Sequence, residues 1–387
     1  MNELNMFCFI TNLAVTVLCG ALLPVYPALT RKSYLFGVKI PWEEQASPEA
    51  KELKKRYITI CLTGAAAILA LVVIQYAILP GITLIATLYF PLLFAALQVG
   101  AFVPHWREAV KLKEARGWQA SGSVFAETKS SYSRGNLSEL PWGWYALGLL
   151  AIFIGVVVTL LRYPELPARI PTHFDAHMQP DAWSDKSLLT VMFMPLINVS
   201  TLLIMWLTGF MFVRAKLQID PQNPALSFAQ HRIYRRRMGG AIGFMALGMA
   251  SALTLLGLKT VFVEMNISFG LMIAMLLLPS VPVVVIPLRS GQGGCKIIPG
   301  TIIENAVDAE KSPSVGGGAF GRGDDKHWAF GMFYYNPDDP AYIMEDRFGI
   351  GLGFNYARLP VKIGAVAALL AFVAGYAWLT VWLGASL

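Results

Sequence analysis

The sequence predicts an all-α polytopic membrane protein of about eight transmembrane helices, with a small cytoplasmic β-hairpin-like module. Three observations predict it. The chain is 56% hydrophobic and only 14% charged, with a mean hydropathy of +0.54, whereas a soluble domain carries about 25% charged residues. Eight apolar runs, each about 20 residues long, are long enough to cross a bilayer as helices. Finally, all but four of the 31 Lys and Arg fall on alternate connecting segments.

The runs are residues 6–26, 57–79, 82–103, 142–161, 188–213, 239–258, 267–288 and 361–383. Each must be helical, because backbone N–H and C=O groups find no water in hydrocarbon. The first has no basic leader and no small-x-small cleavage site, so it reads as a retained span. Lys and Arg crowd the segments after the first, third, fifth and seventh runs, and only Arg162, Arg169, Lys186 and Lys259 lie on the other side. By the positive-inside rule both termini are then external, in a multi-pass protein of a bacterial cytoplasmic membrane. The net charge of +7 is accounted for by that bias together with the lipid bilayer, and points to no direct nucleic-acid partner. Cys8, Cys19, Cys61 and Cys295 form neither a C-x-x-C nor an external pair, which gives no disulfide framework or zinc ribbon.

The chain divides into an N-terminal membrane region (1–140), a fourth and fifth span flanking a loop (141–214), two further spans (215–288), a cytoplasmic aromatic module (289–360) and a final span (361–387). Ile40-Pro41 predicts a bend. Ser47 and Pro48 predict an N-cap and first helical position, and Leu79-Pro80-Gly81 a tight turn between antiparallel spans. The 104–140 segment should begin helical and end as a mobile Ser- and Gly-rich stretch. Pro195 and Asn198 mark a kink in the fifth span, and Pro279, Pro282 and Pro287 an irregular second half of the seventh. In the module a glycine linker (314–323) precedes an aromatic run, a turn at Asn336-Pro-Asp-Asp-Pro340, and a second β-prone run, which predicts one hairpin docked on the membrane domain.

The most chemically equipped stretch is the external loop 162–187. Arg169, His173, Asp175, Asp181, Trp183 and Lys186 are its candidate ligand-binding residues. Asp181, Asp185 and Lys186 with Arg169 could form a charge network, and Trp183 an aromatic anchor on an interface or span top. His173 and His177 have H-x-x-x-H spacing, which with Asp175 or Asp181 suits zinc on a helix. Pro171 and Pro180 bracket the pair and argue against helix, so a structural or hydrogen-bonding His173 is expected, with a carboxylate such as Asp181 or a backbone carbonyl as partner, and no metal or other cofactor. Gly291–Lys296 lacks phosphate-loop spacing and the 349–353 glycines lack the dinucleotide pattern. Span interiors offer few ionisable groups, against an ion-coupled transporter.

Leu166-Pro-Ala-Arg-Ile-Pro-Thr-His-Phe-Asp-Ala and Pro180-Asp-Ala-Trp-Ser-Asp-Lys186 resemble the signature of a bacterial membrane family built on a domain of unknown function. SdpI-type immunity proteins, which protect against the sporulation-delaying toxin, carry the same domain. Phe36-Gly-Val-Lys-Ile-Pro41 is similar to a second element of those proteins, and 325–356 to a C-terminal module of longer members. Three positions depart: Met178 stands where Gly is usual, Asp175 where Asn is commoner, and His177 where a small or polar residue is usual. The resemblance implies a membrane protein of immunity, peptide-sensing or signalling type and no particular reaction; a non-enzymatic protein is the reading expected. Its loop would meet an antimicrobial peptide or envelope ligand, and the inner face (36–42, 231–237, 325–358) would relay to a partner such as a transcription regulator. Alternatives are a membrane enzyme using His173, Asp175 and Asp181, and a lipid or peptide transporter.

Overall fold

The computed structural model describes residues 3–118, 140–175, 177–215, 217, 224–298, 324–347 and 351–385. In chain order the helices are α1 (Glu3–Leu22), the short α2 (Tyr26–Leu29), α3 (Pro48–Ile78), α4 (Thr83–Arg116), α5 (Trp142–Arg162), α6 (Leu188–Arg214), α7 (Pro224–Val261), α8 (Phe269–Leu277), α9 (Val281–Ser290) and α10 (Leu359–Ala385). The strands are β1 (Tyr34–Leu35), β2 (Val38–Lys39), β3 (Arg169–Phe174), β4 (Pro180–Asp185), β5 (Trp328–Ala329), β6 (Phe333–Tyr334), β7 (Ile343–Glu345) and β8 (Leu352–Phe354). They form four separate antiparallel hairpins.

Among the described residues eight helical stretches are long and apolar enough to cross a membrane, as the hydropathy predicts. Local signals hold too. The Ser47 hydroxyl accepts from the Ala50 amide and α3 begins at Pro48. A 3-10 turn at Pro80–Ile82 joins α3 to α4. The seventh span breaks into α8, a 3-10 turn at Leu278–Ser280, and α9. The stretch expected to be mobile before residue 140 and the glycine linker at 314–323 lie outside the described residues.

The chain forms two units. The first gathers Met1–Glu127 and Ser314–Leu387. Its core packs α1, α3 and α4 around Tyr57, Ile68, Val72, Phe94 and Phe102. His105 sits inside it, its Nδ1–H donating to the Ala101 carbonyl at 2.6 Å, with the rings of Phe36 and Tyr57 alongside. The C-terminal module is two small hairpins, β5–β6 and β7–β8, not the single one expected across the Asn-Pro-Asp-Asp-Pro turn. A lone parallel bridge, Tyr334 to Asn355, links them. The turn residues work inward: Asp339 accepts from the Tyr334 hydroxyl and the Ala341 amide, and Asn355 donates to the Asn336 and Asp339 carbonyls.

This module is locked on to the β1–β2 hairpin. Arg347 is fully buried; it donates to the Gly37 carbonyl and to Asp325, at 2.5 Å, and lies over the rings of Tyr34 and Trp328. Asp325 also takes Lys113 at 2.6 Å and the Lys39 amide. The turn glycines Gly37 and Gly331, both at positive φ, meet back to back, where a Cβ on Gly37 would strike the Gly331 carbonyl. Phe36, Val38 and Ile40, expected to face a partner, are therefore buried.

The second unit gathers Thr128–Leu217 and Pro224–Pro313. Here α5, α6 and α7 close on Leu140, Tyr145, Ile152, Leu202, Val213, Ala246 and Ala250. Gly148 and Gly155 let α5 approach its neighbours, with Leu202, Ala250 and Thr254 against them. The basic cluster at 231–237 is only partly a surface: His231 and Arg235 are buried, and Arg235 donates to the carbonyls of Val213 and Ala215 where α6 ends.

Two outcomes follow for the module. Arg347→Met takes one charged donor from Asp325, which keeps Lys113 and the Lys39 amide, and loses two ring contacts, costing about 2–3 kcal/mol, while Arg56→Gln at the exposed pair with Glu108 costs at most about 1 kcal/mol; thermal midpoints of the two purified variants should separate accordingly. Asp346 lies behind Gly351 and Gly353, and burial pushes its carboxyl up to about 7. Unfolded, the group ionises near the usual 3.8, so the folded module holds the extra proton between those values. Its stability should fall as pH rises through that window and level off above it, and Asp346→Asn should flatten the slope in melts at pH 5 and 8.

Candidate functional site

The loop 162–187 is a hairpin set between two spans. A 3-10 turn, Tyr163–Glu165, ends α5. Lys186 then closes the base: its amide donates to the Ala168 carbonyl and its ammonium to the carbonyls of Pro164 and Leu166, at 3.2 and 2.8 Å, over the Tyr163 ring. Ser187 caps α6 through the Thr190 amide. Thus Lys186 stabilises the hairpin base rather than joining a charge network. Arg169 sits across the ladder from Asp185, yet among the described residues no ion pair joins it to Asp181 or Asp185.

Two irregularities shape the ladder. Pro171 pairs with Trp183 and His173 with Ala182, so Thr172 is extra on β3; Phe174 then pairs with Pro180, so Asp181 is extra on β4. One inserted residue on each strand restores the register and re-aims the side chains between. The result brings His173 Nδ1 to 2.5 Å from Asp181 Oδ1, the pairing the sequence expects. Both are open to solvent, at 69% and 47% of side-chain area, so the pair is presented and not buried. With the carboxylate as acceptor, Nδ1 carries the proton and Nε2 of the neutral ring is left as an outward acceptor.

Asp175 spends its carboxylate locally. Its Oδ1 accepts from the amides of His177 and Gln179 at 2.9 and 2.7 Å, and its backbone bonds close the turn with Gln179 and Met178. His177 lies in that turn, 3.8 Å from Asp175, and does not share a helical face with His173 on β3. Among the described residues no group of three or more His, Cys, Asp or Glu side chains is arranged to hold a metal. Nor does any described Ser, Thr or Cys hydrogen-bond to His173, so the pair has no attached nucleophile. Trp183 is 42% exposed.

What fixes the hairpin is a set of contacts the sequence did not mark as functional. Ile170 is buried on the inner face. Met178, at φ +60°, is 5% exposed and joins a cluster with Ala252, Ile267 and Met272. Its left-handed backbone explains why glycine suits this position, and its burial explains what methionine gains there. Phe174 lies over Lys259, whose buried ammonium donates to the carbonyls of Val263 and Met265 just beyond α7. The signal for Met178 was its departure from the usual glycine.

A family described as "Domain of unknown function (DUF1648)" matches residues 150–199, from within α5 through the whole hairpin into α6. That description names no activity. No curated protein and no solved structure matches the chain.

Met178→Gly should relieve about 1 kcal/mol of backbone strain but lose a buried side chain worth about 2–5 kcal/mol. The net loss should speed hydrogen exchange of the 169–185 amides without unfolding the spans. Unchanged exchange would mean that the tip is held by something else.

Proposed function

We propose that this is a bacterial membrane immunity or peptide-sensing protein of SdpI type, non-enzymatic, whose β3–β4 hairpin faces outward and contacts a peptide or envelope ligand. The observation that carries the reading is the exposed His173–Asp181 pair on a hairpin whose backbone is held by Asp175, Met178 and Lys186. Nε2 and the carboxylates of Asp181 and Asp185 offer acceptors, so the ligand must bring donors or positive charge.

Charge in the second unit supports a cationic peptide. At the hairpin end Arg162 pairs with Glu165, and Lys186 and Lys259 are spent on carbonyls. Asp181 and Asp185 stay exposed, with Trp183 between them on β4, where an aromatic face can take a cation. At the other end Arg214, Arg236, Arg237, Arg289 and Lys296 are exposed and meet no carboxylate among the described residues. That polarity supports hairpin-out, basic-end-in orientation. In the first unit, Trp42, Phe330, Phe333, Tyr335 and Tyr342 remain exposed and are the surface left for a partner such as a transcription regulator.

The test uses whole cells. In a background without other cysteines, Gln179→Cys should react with an impermeant thiol reagent and Lys296→Cys should not. Expression should then protect cells from a cationic envelope-active peptide. Asp181→Asn with Asp185→Asn should lose most protection, and His173→Gln only part, because an amide still offers an acceptor. Equal labelling of both cysteines would overturn the orientation, and full protection by the double variant would overturn the ligand assignment.

A further inference from the structure

Inside the second unit, α5, α6 and α7 leave a cavity of ≈ 10 Å³ whose lining includes Ile152, Thr159, Pro195, Asn198, Thr254 and Gly257. That is about the space that one water centre needs. Asn198 is 1% exposed. Its Nδ2 donates to the Ala250 carbonyl at 2.9 Å and to the Thr254 hydroxyl at 3.0 Å, which fixes the orientation of the amide. Its Oδ1, by contrast, is buried with no donor in reach among the described residues.

The depth makes that orphan costly. Asn198 is ten residues into α6, roughly 15 Å along the helix, about half of a ~30 Å hydrocarbon core. No bulk water reaches there, and an unsatisfied acceptor costs several kcal/mol. One neighbour sharpens the demand. Thr159, 3% exposed, does not turn its hydroxyl back on to its own helix, as Thr201 and Thr208 do. The site thus presents a buried acceptor and a hydroxyl in a space about the size of one water. Every lining residue is neutral, so a bare cation would enter without a carboxylate to offset its charge.

We propose that a single water molecule is bound between α5, α6 and α7, donating to Asn198 Oδ1 and accepting from the Thr159 hydroxyl. The water supplies a polar link from α5 to α6 beneath the hairpin, where the two helices otherwise meet through apolar side chains and the Tyr145 ring.

A density map of the reconstituted protein at water-resolving quality tests it directly. A discrete peak within hydrogen-bond distance of Asn198 Oδ1 and Thr159 Oγ1 is expected, and flat density in the cavity would overturn the proposal. A thermal cycle tests it independently. Thr159→Val should lower the midpoint by about 2–4 °C in the wild type and leave it unmoved in Asn198→Leu, since the two side chains share only the water. Equal shifts in both backgrounds would overturn it. If Asn198→Leu does not fold, the map alone decides. A midpoint that rises with Na⁺ over choline at constant ionic strength would put a cation in the site and overturn the water.

Discussion

The constraint on which this structure depends is that every backbone amide and carbonyl must find a partner, and at bilayer depth only the helix ladder supplies one. The eight spans are its plainest result. Its subtler result is the chemistry at helix ends, where four carbonyls lack intrahelical donors. The carbonyls that close α6 take Arg235, those beyond α7 take Lys259, and those beyond α5 take Lys186. Three cations therefore act as caps, each replacing several waters at an apolar boundary. The hairpins, with open ladder edges, are confined to the segments between such ends.

This use of charge changes what a charged residue means here. Counted along the chain, Lys186 and Lys259 are two of the few cations on the hairpin side, and Arg235 is one member of a basic cluster. In the fold all three are internal fasteners, and Arg347 is another, sealed between two aromatic rings at the junction of the C-terminal module with β1–β2. Arginine suits that last position because its planar fork donates to Gly37 and Asp325 while its faces stack. The charges left over are then few and local: Asp181, Asp185 and Arg169 by the hairpin, and a group of arginines at the far end of the same unit.

Hydropathy made the spans legible, because a 20-residue apolar run has one outcome in a membrane. Ser47, Pro80 and the prolines of the seventh span were legible for the same reason, since each acts within one turn of itself. The β3–β4 hairpin was not. Its strands are six residues long, interrupted by Pro171 and Pro180, and lack the alternation that marks a half-buried strand. Nor was the second hairpin of the module, whose strands are three residues long and are tied in by Asn336 and Asp339 of the turn and Asn355 just after β8. The His173–Asp181 pairing was read correctly from residue types, but its exposure was not, because exposure depends on the two insertions at Thr172 and Asp181. Asp175, expected among the ligand-binding residues, also locks the turn. Met178 looked like an anomaly and serves as the anchor.

Those assignments bear on how an exposed pair can have function at all. A His–Asp contact in solvent contributes little stability by itself, and a loop that had to order itself on each encounter would lose affinity to the entropy of doing so. The hairpin avoids this by taking its rigidity from elsewhere. Asp175 fixes the tip from within, Met178 and Ile170 are buried beneath it, and Lys186 ties its base to the 3-10 turn that follows α5. None of these residues has to be solvent-facing, and the ones that are solvent-facing, His173, Asp181, Trp183 and Asp185, have little structural work of their own. That division of labour is what a binding surface requires: side chains left open because their backbone is already held.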